Sequence, residues 1–357
     1  MIENDTITKA PTVSIIVPAR NEEANIAACL ESLAIQTGVP FEIIVVDDHS
    51  TDRTQDIAGS FSPRYDNVRV IEAAPLPANC TGKNNAVSTG ARAARGQWLL
   101  FTDADTVHLP GSLARAVTEA KQFNADMLSY SPEQIAITFW EMAILPVVFA
   151  ELARQYPPTK VSDPQSPIAA ANGQYILIRR EAYDAIGGHA AVASEILEDV
   201  ALARLVKQSG RKLRFRYAAD AVRTRMYRNF AQLREGWTKN LALLFPDPGD
   251  LAAKMLLLWT VLWVGLLIPS IRLYWILVLA FTFAYLFQRI NRANFPNSMT
   301  FRAVLFGIPM FAYLLLRSQR AHGKGSVAWK GRTYAGTSLE EKSQQLTTLP
   351  RTAGKLS

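Results

Sequence analysis

The feature that most constrains this chain is a regular alternation of short apolar runs and helical stripes over its first 130 residues. Val13 to Pro18, Phe41 to Val46, Val68 to Glu72, Gln97 to Thr102 and Ala125 to Tyr130 read as strands. Between them lie Asn21 to Leu33, Thr51 to Phe61, Asn84 to Arg95 and Gly111 to Lys121, with apolar residues at helical spacing, as in Ile26, Leu30 and Leu33. Such alternation predicts an α/β fold with a parallel, doubly wound sheet. Ser50 or Thr51 is the expected N-cap of the second helix.

In a sheet of this kind ligands bind just beyond the carboxyl ends of the strands. Two of the predicted strands end in acidic clusters there: Asp47-Asp48 after Val45-Val46, and Asp103-Ala104-Asp105 after Phe101-Thr102. Carboxylates gathered in one crevice repel unless something positive joins them, and a hard divalent cation carrying a diphosphate would do so. The acidic residues therefore point to an enzyme acting on a nucleotide-linked substrate.

Beyond residue 130 the spacing predicts a strand over Gln174 to Arg179, a helix over Ser194 to Gln208, a strand over Lys212 to Tyr217 and an amphipathic helix over Arg228 to Leu244. Pro157 to Pro167 reads as a loop. Residues 137–152 are apolar nearly all round except for Glu141, Glu151 and Pro146, which fits either an interfacial stretch or a buried helix.

From Met255 the character changes. Met255 to Ile271 and Leu273 to Gln288 carry no charge and are separated by Arg272. At the α-helical rise they reach about 24–26 Å against a hydrocarbon core of about 30 Å, a gap that snorkelling and interfacial aromatics close. They predict a membrane hairpin. Ala303 to Leu316 reaches only about 21 Å and contains Gly307 and Pro309, and the loop Arg289 to Arg302 is basic, so a hairpin with that loop in the cytoplasm followed by a re-entrant or interfacial segment fits the charges best, with three crossings the alternative.

The net charge of +7 is concentrated at the end of the chain. Residues 317–357 hold eight Lys or Arg against Glu340 and Glu341. A basic tail after apolar segments suits an anionic membrane surface better than nucleic acid, and much of it reads as disordered. Cys29 and Cys80 lack ligand spacing and give neither a zinc site nor a disulfide framework. Met1 to Pro11 is polar, with no apolar signal core, so the first domain is expected to stay in the cytoplasm. The expected division is a globular domain over 1–245, a membrane region of two or three helices over 251–317, and a tail over 318–357.

Taken in order, the motifs resemble the family 2 glycosyltransferases over residues 12–245. They are Ser14-Ile15-Ile16-Val17-Pro18-Ala19-Arg20-Asn21-Glu22, Val45-Val46-Asp47-Asp48-His49-Ser50, Gly82-Lys83-Asn84-Asn85-Ala86, Phe101-Thr102-Asp103-Ala104-Asp105 and Glu198-Asp199. The resemblance implies a nucleotide-sugar-binding fold of the GT-A type. Pro18, Ala19, Asn21, Glu22, Asp47 and Asp48 would line the nucleoside site, with Asp48 on the base, usually uracil. Asp103 and Asp105 would hold Mg²⁺ or Mn²⁺ against the diphosphate, with Lys83 beside it. Gly173, in Asn172-Gly173-Gln174-Tyr175, and Gly187-Gly188-His189 would border the sugar and acceptor. Asp199, next to Glu198, would take the proton of an acceptor hydroxyl.

The chain departs from the Gln-x-x-Arg-Trp pattern of many membrane members. It carries Gln232-Leu233-Arg234-Glu235-Gly236-Trp237-Thr238-Lys239-Asn240, with Arg225-Met226-Tyr227 upstream. This form is similar to the carotenoid-acid and related lipid glycosyltransferases, and it implies that Trp237 covers the acceptor or donor site and Lys239 assists the diphosphate; Trp237 reads equally well as an interfacial anchor. Trp329-Lys330-Gly331-Arg332-Thr333-Tyr334 has the same basic-aromatic character.

The chemistry requires such residues. Displacing a sugar from a nucleoside diphosphate leaves negative charge on the phosphate oxygens, and hard oxygen ligands select Mg²⁺ or Mn²⁺ to stabilise it. An aspartate with an ordinary pKa near 3.9 is a weak base, and burial would improve it. The expected activity is inverting hexosyl transfer from a UDP-sugar to a lipid, at the cytoplasmic face of a bacterial-type inner membrane. The rivals are a polysaccharide synthase and a silent scaffold that binds nucleotide-sugar.

Overall fold

The computed structural model describes residues 11–293, 295–329 and 332–335. The polar stretch before Pro11, Lys330 and Gly331, and the tail from 336 lie outside the described residues. The strands are β1 Val13–Ala19, β2 Phe41–Asp47, β3 Val68–Glu72, β4 Trp98–Phe101, β5 Thr106–His108, β6 Met127–Ser131, β7 Glu133–Gln134, β8 Ile176–Arg179, β9 Leu213–Tyr217 and β10 Val222–Thr224. The helices are α1 Ile26–Ala34, α2 Thr54–Gly59, α3 Gly82–Ala93, α4 Ser112–Gln122, α5 Phe139–Gln155, α6 Pro158–Ser162, α7 Arg180–Ala185, α8 Glu198–Gln208, α9 Phe230–Leu244, α10 Pro248–Val264 and α11 Arg272–Arg292. A final helix runs over Thr300–Gly323, followed by the strands Ser326–Trp329 and Arg332–Ala335.

The chain divides into two units. The first runs through Ile137, then Phe149–Met226 and Gln288–Ser298. Its seven-stranded sheet has the order β3-β2-β1-β4-β8-β6-β9. Ile15, Val17, Ile43, Val45 and Leu100 face one apolar layer with α1 and α4; Ile16, Ile44, Val46 and Leu99 face the other with α3 and α8. Alternate residues of each strand thus bury on opposite faces, as period-two geometry requires.

The sheet is mixed rather than all parallel: β8 runs antiparallel to both β4 and β6, while the other pairings are parallel. Ile176 pairs with Phe101, so the segment that precedes β8 emerges where β4 ends. The reversal delivers Asn172, Gly173 and Gln174 to the edge that already carries the ends of β1, β2 and β4. A small sheet of β5, β10 and β7 flanks the first.

Several expected boundaries shift. The first helix starts at Ile26, because Asn21 sits in the left-handed region with φ 52° and holds a turn. The second starts at Thr54, whose N–H donates to Asp52 Oδ1 at 3.0 Å, so Asp52 rather than Ser50 or Thr51 supplies the capping oxygen. The expected loop after Pro157 contains α6, with Pro158 at its first turn where a missing N–H costs nothing. The Lys207 ammonium caps it by donating to the carbonyls of Val161, Asp163 and Ile168 at 3.0, 2.9 and 2.8 Å.

The second unit comprises Thr138–Val148, Tyr227–Phe287 and the residues from Met299. Three helices here are long and apolar enough to cross a membrane: Pro248–Leu267, Arg272–Arg292 and Thr300–Gly323. The third is longer than its uncharged core of 14 residues indicates, and it extends six residues past 317, where the tail is expected to begin. Its turn over Ala303–Gly307 is widened into π geometry just ahead of Pro309.

Candidate active site

Two turns meet at the ends of β1 and β2. The Asp48 N–H donates to Ala19 O at 2.8 Å, and the Arg20 guanidinium donates to the carbonyls of Asp48 and His49. Asn21 Oδ1 accepts the Thr51 N–H at 2.8 Å, the Glu22 N–H donates to Thr54 Oγ1 at 2.7 Å, and Asp47 Oδ2 accepts the Ser50 N–H at 3.1 Å. Pro18, Ala19, Asn21, Glu22, Asp47 and Asp48 therefore lie on two turns held against each other. Asn21 spends its oxygen on fastening one turn to the other, and Asp47 spends one within its own turn.

The end of β4 carries the next group. Thr102 Oγ donates to Gln174 O at 2.8 Å and contacts His108 Nε2 at 3.0 Å. Burial holds His108 neutral, its pKa pushed down to about 3. Ser129 Oγ accepts the Asn172 N–H at 2.9 Å, and Asn172 Oδ1 accepts the Gln174 N–H at 3.0 Å. These bonds fix the backbone of Gly173, whose N–H donates to Asp199 Oδ2 at 2.9 Å.

Asp103 follows Thr102 directly. Its Oδ1 lies 2.9 Å from Lys83 Nζ, and the same ammonium lies 2.8 Å from Glu198 Oε1. Lys83 is desolvated, which by itself lowers its pKa, but the carboxylates of Asp103 and Glu198 more than reverse that and keep it charged. A Cβ on Gly173 would sit 3.0 Å from Lys83 Nζ, 3.4 Å from Glu198 Oε1 and 3.5 Å from Asp199 Oδ2. Five residues distant in sequence, Lys83, Asp103, Gly173, Glu198 and Asp199, thus form one cluster.

Cys29, on α1, lies beneath the same turn. The Cys29 thiol is buried under the Asp103 carbonyl, 3.8 Å away. Burial pushes its pKa up, and the charges of Asp105, Glu22 and Asp103 push it further the same way. α1 is thereby packed against the Asp-x-Asp turn.

Glu198 and Asp199 occupy the first turn of α8, where the helix dipole favours anions. Asp199 Oδ1 accepts the Val200 N–H at 2.8 Å. Burial pushes its pKa up to about 6, reinforced by Glu198 and opposed by Lys83 and the two backbone bonds. That value suits a proton acceptor at neutral pH.

The residue that sets this geometry is Asn84, which escapes a reading for charge. Its buried amide donates to the carbonyls of Val192, Ala193 and Glu195 at 2.8, 3.0 and 3.2 Å. Thr81 caps α3 by accepting the Asn84 N–H and donates its own N–H to Ala193 O at 2.9 Å. The start of α3, with Lys83, is thereby tied to the segment leading into α8, with Glu198. A buried amide next to a lysine in Gly82-Lys83-Asn84-Asn85 is the available sequence signal.

Gly187-Gly188-His189 wraps the Tyr183 ring. Gly188 has φ +54°, and a Cβ there would fall 2.4 Å from that ring. His189 Nδ1 contacts the Tyr183 hydroxyl at 3.1 Å, and burial lowers its pKa to about 4. Trp237 belongs to the second unit, buried on α9 with its ring 6.1 Å from that of Tyr227. Lys239 on the same helix offers its carbonyl to His322 Nε2 at 2.9 Å.

Residues 14–187 match the family model for glycosyl transferase family 2. The chain is 29% identical over 349 residues to the 4,4'-diaponeurosporenoate glycosyltransferase of Staphylococcus aureus strain USA300, covering 90% of this chain and 88% of that one. The enzyme of strain MRSA252 has the same identity and coverage. A mannosyltransferase from Pyrobaculum calidifontis, solved with GDP-mannose and Mn²⁺, superposes with a TM-score of 0.52 at 15% identity, covering 88% of this chain and 87% of that one. That likeness bears on the fold, a GT-A-like α/β domain. The chain is a glycosyltransferase, and its residues 14–187 match glycosyl transferase family 2.

Proposed function

We propose that this glycosyltransferase moves a sugar, with inversion at the anomeric carbon, from a UDP-sugar to a lipid acceptor at the cytoplasmic face of a membrane. The observation that carries the reading is the cluster itself: an ammonium, an Asp-x-Asp carboxylate and a carboxylate of raised pKa meet around one glycine.

Asp103 and Asp105 would hold a divalent cation. The donor set fits: both are hard carboxylates on one turn, and neither is fully buried. Among the described residues no group of three or more His, Cys, Asp or Glu is placed to hold a metal alone. Two carboxylates with the balance of oxygens from a diphosphate and water is the Mg²⁺ or Mn²⁺ pattern. When bound, the cation neutralises charge developing on the departing diphosphate.

The chain's own residues supply the rest. Lys83 is held at the start of α3 with its ammonium between Asp103 and Glu198, close enough to the turn to pair with phosphate oxygens. The Gly173 N–H orients Asp199, leaving the carboxylate to take the proton of an attacking hydroxyl. One in-line displacement inverts the centre. A carboxylate acceptor arrives already ionised and needs no base. The Staphylococcus aureus relative is named for a carotenoid acid, which favours an apolar acid as acceptor here.

Membranes containing the chain, given labelled UDP-glucose with Mn²⁺, Mg²⁺ or a chelator, test this. Label entering organic-extractable lipid only with metal supports the proposal. Label confined to insoluble polymer would make it a polysaccharide synthase, and no turnover with UDP- or GDP-sugars would make it a scaffold.

A further inference from the structure

Lys83 is the second residue of α3, at the end of the helix whose dipole repels a cation and attracts an anion. Two carboxylates hold it there, Asp103 Oδ1 at 2.9 Å and Glu198 Oε1 at 2.8 Å. They differ in how easily they can let go. The Glu198 side chain is only 9% exposed, so losing the ammonium would leave a buried charge uncompensated. The Asp103 side chain is 27% exposed, so water or another cation can take over its half of the pair.

The backbone makes the same distinction. Asn84, next to Lys83, donates to the carbonyls of Val192, Ala193 and Glu195, and the Thr81 N–H donates to Ala193 O. Lys83 and Glu198 therefore sit on one hydrogen-bonded framework. Asp103 sits on the turn after β4, which is held instead by the bond from Thr102 to Gln174 O.

The ammonium occupies an oxygen of the Asp-x-Asp pair. Two cations on one carboxylate repel each other unless further anionic oxygens arrive with the second. A diphosphate brings such oxygens, and it draws the ammonium toward itself. The lysine stem is flexible and its three donors rotate, so Nζ can turn about Glu198 without losing that pair. Gly173 leaves room for the movement: a Cβ there would fall 3.0 Å from Nζ and 3.4 Å from Glu198 Oε1.

Given the cation site proposed on Asp103 and Asp105, we propose that Lys83 is an internal cation that competes with the metal for Asp103, with Glu198 as its permanent anchor and the donor diphosphate as the group that draws it away. Glu198 is then a positioning residue, acting on the reaction through the ammonium it holds. Metal alone meets a turn whose charge Lys83 already offsets; metal with nucleotide meets one that Lys83 has released. The two therefore bind cooperatively, each tightening the other by the same factor.

The test is Mn²⁺ binding to the full chain in detergent, read from the paramagnetic resonance signal of free Mn²⁺ with and without UDP. Lys83→Met removes the competitor. It should bind Mn²⁺ alone about tenfold more tightly than the parent, and the factor by which UDP tightens Mn²⁺ should fall about tenfold. The Lys83→Met/Glu198→Gln double variant restores the parent's net charge and leaves no buried carboxylate unpaired. It should still bind Mn²⁺ alone more tightly than the parent, and thermal melts check that both variants are folded. No gain in either variant overturns the inference. A gain in the single variant only also overturns it, since net charge and not competition would then explain the effect. A parent that takes up no Mn²⁺ even with UDP would remove the proposed cation site itself, which separates failure of that site from failure of the Lys83 exchange.

Discussion

Replacing Asp199 by asparagine should move stability and activity in different ways, and pH separates them. The carboxylate has its pKa pushed up to about 6, chiefly by burial and then by Glu198. From an ordinary value near 3.9 that is about two pH units, each worth about 1.4 kcal/mol, so ionised Asp199 costs the folded protein at most about 3 kcal/mol. The partial solvent contact of the side chain brings this to about 1–3 kcal/mol.

The sign follows from linkage. Because the folded pKa lies above the unfolded one, the cost is absent below about pH 4 and complete above about pH 6. Asparagine carries no such cost at any pH, but it has one acceptor oxygen where the carboxylate has two. It therefore gives up the bond from Gly173 or from Val200, a loss of about 1 kcal/mol at every pH. The melting temperature of Asp199→Asn relative to the parent should accordingly improve by a few degrees between about pH 4 and pH 7.5. Over the same range, transfer should fall by about 10²–10⁴ with a hydroxyl acceptor, whereas transfer to a carboxylate acceptor, which arrives ionised, should keep much of its rate. Paired thermal melts and initial rates measure both. A melting difference that is the same at the two pH values would refute the assignment of a costly buried charge to Asp199.

Three further substitutions probe the framework around it. Asn84→Ala strips three buried carbonyls of their donor and should cost about 2–3 kcal/mol, read as a lower melting temperature, with a raised KM for donor because Lys83 and Glu198 lose their common tether. Gly173→Ala inserts a methyl 3.0 Å from the mobile end of Lys83, which can yield, so stability should change by under about 1 kcal/mol while donor affinity falls in a titration with nucleotide-sugar. Gly188→Ala meets both a positive φ and the rigid Tyr183 ring, and should cost more than about 2 kcal/mol of stability, read as a lower denaturation midpoint, without changing the pH dependence of the rate.

Much of the first unit was legible because its signals are local. Apolar runs such as Val13–Ala19 and Phe41–Asp47 are buried almost throughout, which only a sheet covered on both faces produces. The acidic turns could be placed because parallel strands bring their ends to one edge. The direction of β8 was not legible, since Ile-Leu-Ile reads the same either way, and that direction is what carries Gly173 into the site. Nor was Asn84, whose role depends on three carbonyls more than a hundred residues away. Among the three long apolar helices, hydropathy separates apolar from charged residues but does not tell which faces pack on protein; the bonds of Ser318 and Arg317 to α9 distinguish the final helix from the other two.

The most direct test of the account is the structure of the full chain bound to UDP-sugar and Mn²⁺. The account predicts the diphosphate beside Lys83, the cation on Asp103 and Asp105, and the anomeric carbon facing Asp199 next to Gly173. A nucleotide-sugar ordered elsewhere on the sheet, with the Lys83–Asp103–Glu198 contacts unchanged, would contradict it.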